Sequence, residues 1–395
     1  MTPPLEGVRV VEYAQYVAGP LCGVLLADLG ADVVKVEPPA GDAYRYVMPV
    51  APGVGRYFIP LNRGKRSVAI DLKTDDGRRS SERLLRSADV VVHNFPLERA
   101  RRFGLDWEGV HALLPQLVVG LISSYGQDGP LAGTPAYDLV AQARAGLLTA
   151  HASPGDRVPV RAGGIPMADL TAGFLLATGV LAALLRARES GEGELVEVSL
   201  LAAAMAVQLQ DLVWLSGDGR ESETRPADRA HLDARAAEIA GGVAMNPYYR
   251  CFEAADGFLA VACLNLTQRK AFLALFGLED PTVEAPDLVP DDPVDLVGKT
   301  ELTAEIERVF AGRSVSEWIE RLESAGVPCG VVQRRETVYA DEQVRANGLI
   351  GDVEQSGLGN VRLLSPFIRV GGSAHTAVAA PELGADTNAV LGVLP

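Results

Sequence analysis

The sequence predicts a two-domain α/β protein, with a large doubly wound domain and a smaller α+β domain. Three observations support this prediction. Short β-branched runs alternate with helical stretches over the first 200 residues, which is typical of a parallel sheet covered by helices. Near residue 216 the composition becomes charged and rich in alanine and glycine. The length of 395 residues is sufficient for two domains.

The N-terminal stretch contains the first βαβ unit. Residues 8–12 form a β-rich run, residues 21–29 have the apolar spacing of a helix, and residues 31–37 form a second run of strand type. Strands joined by one helix pair in parallel, so the large domain should be Rossmann-like. An acidic residue, Glu37, ends the second strand, but residues 18–23 lack the G-x-G-x-x-G spacing of a nicotinamide dinucleotide site.

Four further strands and three helices continue the alternation. The predicted strands cover residues 68–72, 88–95, 117–123 and 195–199, and the predicted helices cover 78–87, 139–148 and 200–215. Ligands of open α/β sheets bind outside the carboxyl ends of the strands. A shared site could therefore form from the segments that lie just outside strands, which are residues 13–20, 62–66, 94–102 and 124–138.

Two clusters of basic residues lie in these segments, at 63–66 and 99–102. The chain has a formal net charge of −15, which argues against nucleic acid and anionic membranes as partners. Local cations against this background suit a ligand that carries phosphate groups. Solvated loops remain the alternative interpretation of both clusters.

Asp169 lies where a loop rich in glycine and proline meets a long apolar run. The run, residues 170–185, predicts a helix that is buried nearly all round and is too short and too closely flanked by charges to span a membrane. A carboxylate at a helix start is stabilised by free N–H groups, so it is either an N-cap or a nucleophile, and the residues alone leave both open. By the same reasoning Asp138 should cap the helix at 139–148.

The second half predicts the domain boundaries. The large domain should cover residues 1–215, a linker 216–240, a small α+β domain 241–325, and a return segment 326–395 that completes the large domain. A hairpin within 248–263 and helices at 267–276, 301–312 and 315–325 define the small domain. Gly241 and Gly242 predict a glycine loop that could cover a site.

Several kinds of site are not expected. The four cysteines are scattered and the five histidines fall in no metal or triad motif, so no metal is expected. The first residues show no signal-peptide pattern, and reduced thiols fit a cytoplasmic protein.

The chain resembles the family III CoA-transferases of the CaiB/BaiF type, a superfamily that includes formyl-CoA transferases, carnitine CoA-transferases and α-methylacyl-CoA racemases. The resemblance covers nearly the whole chain and rests on motifs that occur in the family's order. They lie at residues 18–20, 29–37, 62–67, 94–95, 125–130, Asp169 with Gly173, and 325–330.

The resemblance implies an open ring of two domains that interlocks with a second copy as a homodimer. It also implies that Asp169 is a nucleophile. Its carboxylate would attack an acyl-CoA thioester to give a mixed anhydride, CoA would return to form an aspartyl-CoA thioester, and an acceptor carboxylic acid would take the CoA. Coenzyme A would then be a substrate, with no permanently bound cofactor.

The resemblance further implies a set of CoA contacts, in which the basic residues meet phosphates. The set is Val17, Ala18, Asn62, Arg63, Gly64, Lys65, Asn94, Phe95, Arg102, Thr134, Pro135, Ala136 and Tyr137. The glycine loop at Gly241 and Gly242 would shield the acyl intermediate from water.

Two other functions remain as alternatives. The racemase branch uses a His-Asp pair where Tyr137 and Asp138 align, and a tyrosine with an ordinary pKa of about 10 is poorly suited to accept an α-proton. The sequence therefore favours a transferase. A CoA-binding protein without turnover is the other alternative, and it would have no need of Asp169.

Overall fold

The computed structural model describes residues 2–213, 226–284, 293–371 and 376–394. The strands are β1 Arg9–Glu12, β2 Asp32–Glu37, β3 Pro49–Ala51, β4 Val54–Gly55, β5 Arg66–Ala69, β6 Val90–His93, β7 Val118–Ser123, β8 Leu195–Ser199, β9 Tyr249–Ala254, β10 Gly257–Ala262, β11 Cys329–Val331, β12 Ile350–Gln355 and β13 Gly359–Leu364. The α-helices are α1 Ala18–Asp28, α2 Phe58–Asn62, α3 Asp75–Arg86, α4 Leu97–Phe103, α5 Trp107–Leu113, α6 Asp138–Arg144, α7 Leu147–Ala150, α8 Met167–Ser190, α9 Leu200–Ala206, α10 Arg229–Met245, α11 Leu266–Ala274, α12 Pro293–Phe310, α13 Val315–Ser324, α14 Glu342–Ala346 and α15 Thr387–Gly392.

A six-stranded parallel sheet organises the large unit. Its strand order is β5-β2-β1-β6-β7-β8, and every neighbouring pair is parallel. Numbered along the chain, these strands have the order 3-2-1-4-5-6 of a doubly wound fold. The parallel βαβ start predicted from the sequence is confirmed.

Helices cover both faces of this sheet. On one face, α1, α8 and α9 bury their apolar side chains against the strands. On the other face, α3, α4, α5 and α15 form a second core. Because both faces are covered, the central strands are valine runs rather than alternating sequences, and the side chains of 90–92 are completely buried.

Helix α8 is longer than the sequence predicted and is not buried all round. It packs against α1, β7 and β8, and Gly173 lets α1 approach, since a Cβ there would lie 2.8 Å from the carbonyl oxygen of Ala18. The helix is long and apolar enough to cross a membrane, but this packing is that of a core helix. Its outer face leaves Phe174, Leu175 and Leu185 47%, 40% and 66% exposed.

The chain divides into two compact units with boundaries that differ from the predicted ones. The first comprises Met1–Leu148, Arg161–Ser222 and Asp341–Pro395, and the second comprises Thr149–Val160 and Glu223–Ala340. Residues 326–340 therefore belong to the small unit, because β11 pairs with β10 at the edge of its sheet. The second unit also takes a short insertion from the first half of the chain that no composition change marks.

The small unit is an α+β body with its own aromatic core. Its three-stranded antiparallel sheet has the order β11-β10-β9, and the predicted hairpin joins β9 to β10. Phe252 stacks on Phe310 with ring centroids 4.3 Å apart, and Trp318 packs 4.5 Å from Phe310. Aromatic side chains bury a large apolar area each, so these contacts stabilise the core of the unit.

A helix occupies part of the predicted linker and the whole of the predicted glycine loop. Residues 216–225 lie outside the described part of the chain, but residues 229–240 belong to α10. Gly241 and Gly242 lie inside the same helix rather than in a loop. The segment is rich in alanine, and the high helix propensity of alanine offsets a cost of about 1 kcal/mol for each glycine.

A buried ion network lies beneath the carboxyl end of the sheet. Glu12 receives Lys35 Nζ at 3.0 Å on one oxygen and Lys65 Nζ at 2.8 Å on the other. Lys35 also pairs with Asp42 at 2.9 Å. All four side chains are buried, and burial lowers the pKa of Lys65 to about 8. Charges at such depth are tolerated only when paired, so each depends on the others.

We predict that Lys65→Ala destabilises the protein by about 3–5 kcal/mol, because Glu12 loses a buried partner. The free energy of unfolding from urea titration measures this. Lys73→Ala, at an exposed lysine, is the matched control and should change stability by less than about 0.5 kcal/mol. Equal stability of the two variants would contradict the structural role of Lys65.

Candidate active site

The site lies where the chain order of the parallel sheet reverses. β1 and β6 are neighbours at the centre of the sheet, and the segments that leave them diverge to opposite faces. A cavity of about 590 Å³ opens at this point. It is lined by the segments that follow β1, β6 and β7, namely residues 15–18, 93–100, 121–127 and 132–137, together with 106–108, Asp169, Leu195 and Leu200.

Asn94 joins two of these segments. Its amide nitrogen donates to the carbonyl oxygen of Gln15 at 2.9 Å, and its amide oxygen accepts from the Gln15 backbone N–H at 3.2 Å. The side chain therefore clamps the segment after β1 to the segment after β6 and still lines the cavity. Clamped loops give a cavity of fixed shape.

Tyr16 lies at the rim in a conformation that few residues other than glycine adopt, with φ of 71°. Its backbone N–H donates to Asp42 Oδ1 at 3.4 Å, which ties the cavity rim to the buried ion network. Its ring packs edge-on against Tyr44 and Tyr137, at centroid distances of 5.7 and 5.6 Å. A strained backbone held in this way costs of order 1–3 kcal/mol and is common at functional sites.

Asp169 is the third residue of α8 and its side chain lines the cavity. The residue before the helix, Pro166, provides no side-chain cap. The cap comes from Asp138, whose Oδ1 accepts from the backbone N–H groups of Ala168 and Asp169 at 3.0 and 3.3 Å. Since Asp138 performs the capping, Asp169 is not an N-cap.

Contrary to the prediction from the sequence, Asp138 does not cap the helix that follows it. Asp138 is the first residue of α6, and the residue in the N-cap position of that helix is Tyr137. The Asp138 carboxylate reaches the start of α8 instead, and it also accepts from Gln142 Nε2 of α6 at 2.8 Å and from Arg161 Nη1 at 3.1 Å. Sequence position suggests a cap for the adjoining helix, but the fold brings a distant helix start within reach.

The surroundings of Asp169 raise its pKa to about 7. Burial contributes most, the nearby Asp138 carboxylate adds to it, and Arg161 acts in the opposite direction. A carboxylate of this kind is partly ionised at neutral pH and more basic than an ordinary aspartate. Such a group can act as a nucleophile or a base.

The structure brings most of the predicted site residues to this cavity. Val17, Ala18, Asn94, Phe95, Thr134, Pro135, Ala136, Tyr137 and Asp169 all line it. The backbone N–H of Ala136 donates to Ser124 Oγ at 2.9 Å, which fixes the segment that carries the last four of the predicted binding residues.

The predicted residues 62–65, at the end of α2 and directly after it, do not line the cavity. The Lys65 ammonium is enclosed by Glu12, and Arg63 forms an ion pair with Asp28, so both cations are already neutralised. The Asn62 side chain donates to the Phe58 carbonyl oxygen at 2.9 Å, and Gly64 forms a turn with φ of 73°. The Arg63 and Lys65 side chains thus have partners within the protein, and their predicted contacts with phosphates stay a prediction.

Arg102 is also absent from the cavity lining, and Arg99 takes that place. The Arg99 guanidinium lies 5.4 Å from the centre of the Phe95 ring. Arg99 belongs to the predicted basic cluster 99–102, but the sequence has no signal for which arginine of the cluster faces the cavity. It also missed Tyr16, Trp107 and Arg161, whose positions depend on the fold.

Among the residues that the structure describes, no group of three or more histidines, cysteines and carboxylates could hold a metal ion. His93 lines the cavity but is buried, and burial lowers its pKa to about 4. Its Nδ1 accepts the backbone N–H of Phe95 at 3.3 Å, so the ring is neutral and engaged.

Comparison with known proteins identifies the family. The family model of CoA-transferase family III matches residues 5–387. A succinate–glutarate CoA-transferase of Agrobacterium fabrum is 33% identical over 370 residues, which cover 89% of this chain and 86% of the relative. A probable fatty acyl-CoA transferase of Mycobacterium tuberculosis is 33% identical over 334 residues, covering 82% and 81% of the two chains.

Solved structures of the same family have the same fold. The crystal structure of a CaiB/BaiF family protein from Brucella suis superposes with a TM-score of 0.79 and 28% sequence identity, covering 100% of both chains. With its parallel sheet, its central cavity and its family match over nearly the full length, the chain belongs to CoA-transferase family III and is an enzyme of the CoA-transferase class.

Proposed function

We propose that this enzyme transfers CoA from an acyl-CoA to a free carboxylic acid through covalent intermediates on Asp169. The observation that supports this most strongly is that Asp169, one of the carboxylates in the cavity wall, is basic for an aspartate and has no capping role. Covalent catalysis needs a nucleophile of this kind.

The proposed steps conserve atoms and charge. The Asp169 carboxylate attacks the acyl carbon, the thioester C–S bond breaks, and an aspartyl-acyl anhydride forms as the CoA thiolate leaves. The thiolate then attacks the Asp169 carbonyl carbon and releases the first acid as its carboxylate. The acceptor carboxylate repeats the sequence in reverse, taking the CoA and restoring the Asp169 anion.

The cavity is the proposed location of the CoA moiety. Its volume of about 590 Å³ is within the range of small-molecule sites. Val17, Ala18 and the segment 134–137 would contact the ligand near Asp169. Arg99 would meet a phosphate group, because its guanidinium is exposed at the cavity and held against Phe95.

The comparisons do not favour the racemase alternative, since the relatives reported above are named as transferases. The cavity residues support the same preference. Tyr137 occupies the position of the expected base, and His93 is neutral with its Nδ1 already accepting a hydrogen bond. Neither provides the free imidazole that proton abstraction would use.

Asp169→Asn should abolish transfer while leaving CoA binding intact, because an amide cannot form the anhydride. The measurement is exchange of isotopically labelled acid into acyl-CoA, followed by mass. The panel should include succinyl-CoA with glutarate, the acids in the name of the Agrobacterium relative. An Asn variant that folds, binds CoA and exchanges at a near-native rate would refute the mechanism.

Arg99→Ala should raise the Kd for CoA about tenfold, the loss expected for a charge-assisted hydrogen bond. Calorimetric titration of CoA measures the change, and its dependence on salt should fall as well. Arg101→Ala is the matched control, because Arg101 is on the same helix, pairs with Glu98 and does not line the cavity. Equal Kd values for the two variants would remove Arg99 from the binding site.

We also propose a homodimer, the assembly that the family resemblance implies. The exposed apolar side chains Phe174, Leu175 and Leu185 on α8, with Leu209 after α9, support a covered face in the large unit. A second copy of this chain is the proposed occupant.

An interlocked dimer should stay associated on dilution, because two linked rings cannot separate while folded. Sedimentation velocity at nanomolar concentration should therefore report one species of twice the chain mass. A folded monomer under these conditions would contradict the proposed assembly.

A further inference from the structure

We propose that Asp138 is a positioning residue that keeps the Asp169 carboxylate nucleophilic by occupying the N-terminus of α8 in its place. This inference rests on the proposed role of Asp169. It assigns a function to a second carboxylate, which the steps above do not use.

The Asp138 carboxylate is buried and fully engaged. Oδ1 accepts the backbone N–H groups of Ala168 and Asp169. Oδ2 accepts Gln142 Nε2 and Arg161 Nη1. Four donors on one buried carboxylate fix its position relative to α8.

These contacts leave no first-turn donor of α8 for Asp169. The N–H of Met167 donates to the Ile165 carbonyl oxygen at 2.9 Å, and the N–H of Leu170 donates to the Pro166 carbonyl oxygen at 3.0 Å. The two N–H groups between them donate to Asp138. A helix N-terminus normally stabilises a carboxylate and makes it less basic, and here that stabilisation goes to Asp138.

The charge of Asp138 should affect the rate at which the anhydride forms. Forming the anhydride removes the negative charge from Asp169 and moves it to the CoA thiolate. A fixed negative charge at Asp138 disfavours the Asp169 anion but not the neutral anhydride, so it should speed the first step. The same negative charge slows the last step, in which the Asp169 anion is restored, so the equilibrium between the two acids and their CoA thioesters is unchanged.

The charged and titratable groups that act on Asp169 come from three segments. Asp138 belongs to α6, Arg161 to the segment before α8, and Tyr44 to the 3₁₀ turn Ala43–Tyr46. Asp138 raises the pKa of Asp169 and Arg161 lowers it. Removing the Asp138 charge should therefore shift the pH dependence of the first step to lower pH, and removing the Arg161 charge should shift it to higher pH.

The test measures the rate at which acyl-CoA forms the Asp169 adduct in a single turnover, from pH 5 to pH 9. In the unaltered protein this rate should fall as the pH drops through about 7, the pKa of Asp169. Asp138→Asn keeps an oxygen that accepts the two N–H groups but removes the charge. Its acid limb should move down by about one pH unit, the size of a typical single-neighbour effect.

The two pH profiles should therefore cross. Above pH 8 the Asn variant should be several-fold slower, because its nucleophile is less basic. Near pH 5 it should be faster, because more of Asp169 is ionised. A purely structural role for Asp138 would lower the rate at every pH.

Arg161→Gln provides an independent second variant, which also serves if Asp138→Asn does not fold. Its acid limb should move to higher pH. Asp341→Asn is the matched control, because Asp341 caps α14 through the N–H of Val344 and does not line the cavity. Its profile should match that of the unaltered protein.

The outcomes separate the inference from the function on which it rests. Absence of any Asp169 adduct in the unaltered protein overturns the proposed function. An adduct that forms normally, with acid limbs that stay in place in both charge variants, overturns the role of Asp138 alone. Crossing profiles with opposite shifts support both.

Discussion

The reactivity proposed for Asp169 depends on how the N-terminus of α8 is capped. A carboxylate there would ordinarily be stabilised by the free N–H groups of the first helical turn. In this protein those donors are used by Asp138 and by two backbone carbonyl groups, so Asp169 has the position of a helix-start anion without its usual stabilisation. Burial and the neighbouring negative charge then raise its pKa, and Arg161 opposes them. The chemistry proposed for the site follows from this arrangement.

The sheet places that helix start against a cavity. The order β5-β2-β1-β6-β7-β8 puts the reversal of chain order between β1 and β6, where the segments after the two strands separate. Asn94 clamps these segments, and the buried network around Glu12 and Lys35 holds Tyr16 through Asp42. The predicted CoA contacts therefore fall into two sets with different positions. Residues 17–18, 94–95 and 134–137 line the cavity. The side chains of Asn62, Arg63 and Lys65 form contacts within the protein and stabilise the large unit.

The strand alternation, the parallel βαβ start and a cavity just outside the strand ends followed from the sequence, because they depend on local periodicity and on general rules for parallel sheets. The role of Lys65 did not follow, since a basic residue near a strand looks the same whether it meets a ligand or a buried glutamate. The helix through Gly241 was missed because neighbouring alanines outweigh a glycine signal. The cap from Asp138 was missed because it joins residues about thirty positions apart, a contact that only the fold creates.

The most direct measurement is to trap the covalent intermediate. The protein is incubated with acyl-CoA, quenched with hydroxylamine and digested, and the peptides are sequenced by mass. The account predicts a hydroxamate on Asp169, which forms only when acyl-CoA is present and is absent from protein treated with CoA alone. Hydroxamate on a different carboxylate, or none on Asp169 under conditions where CoA exchange proceeds, would contradict the account.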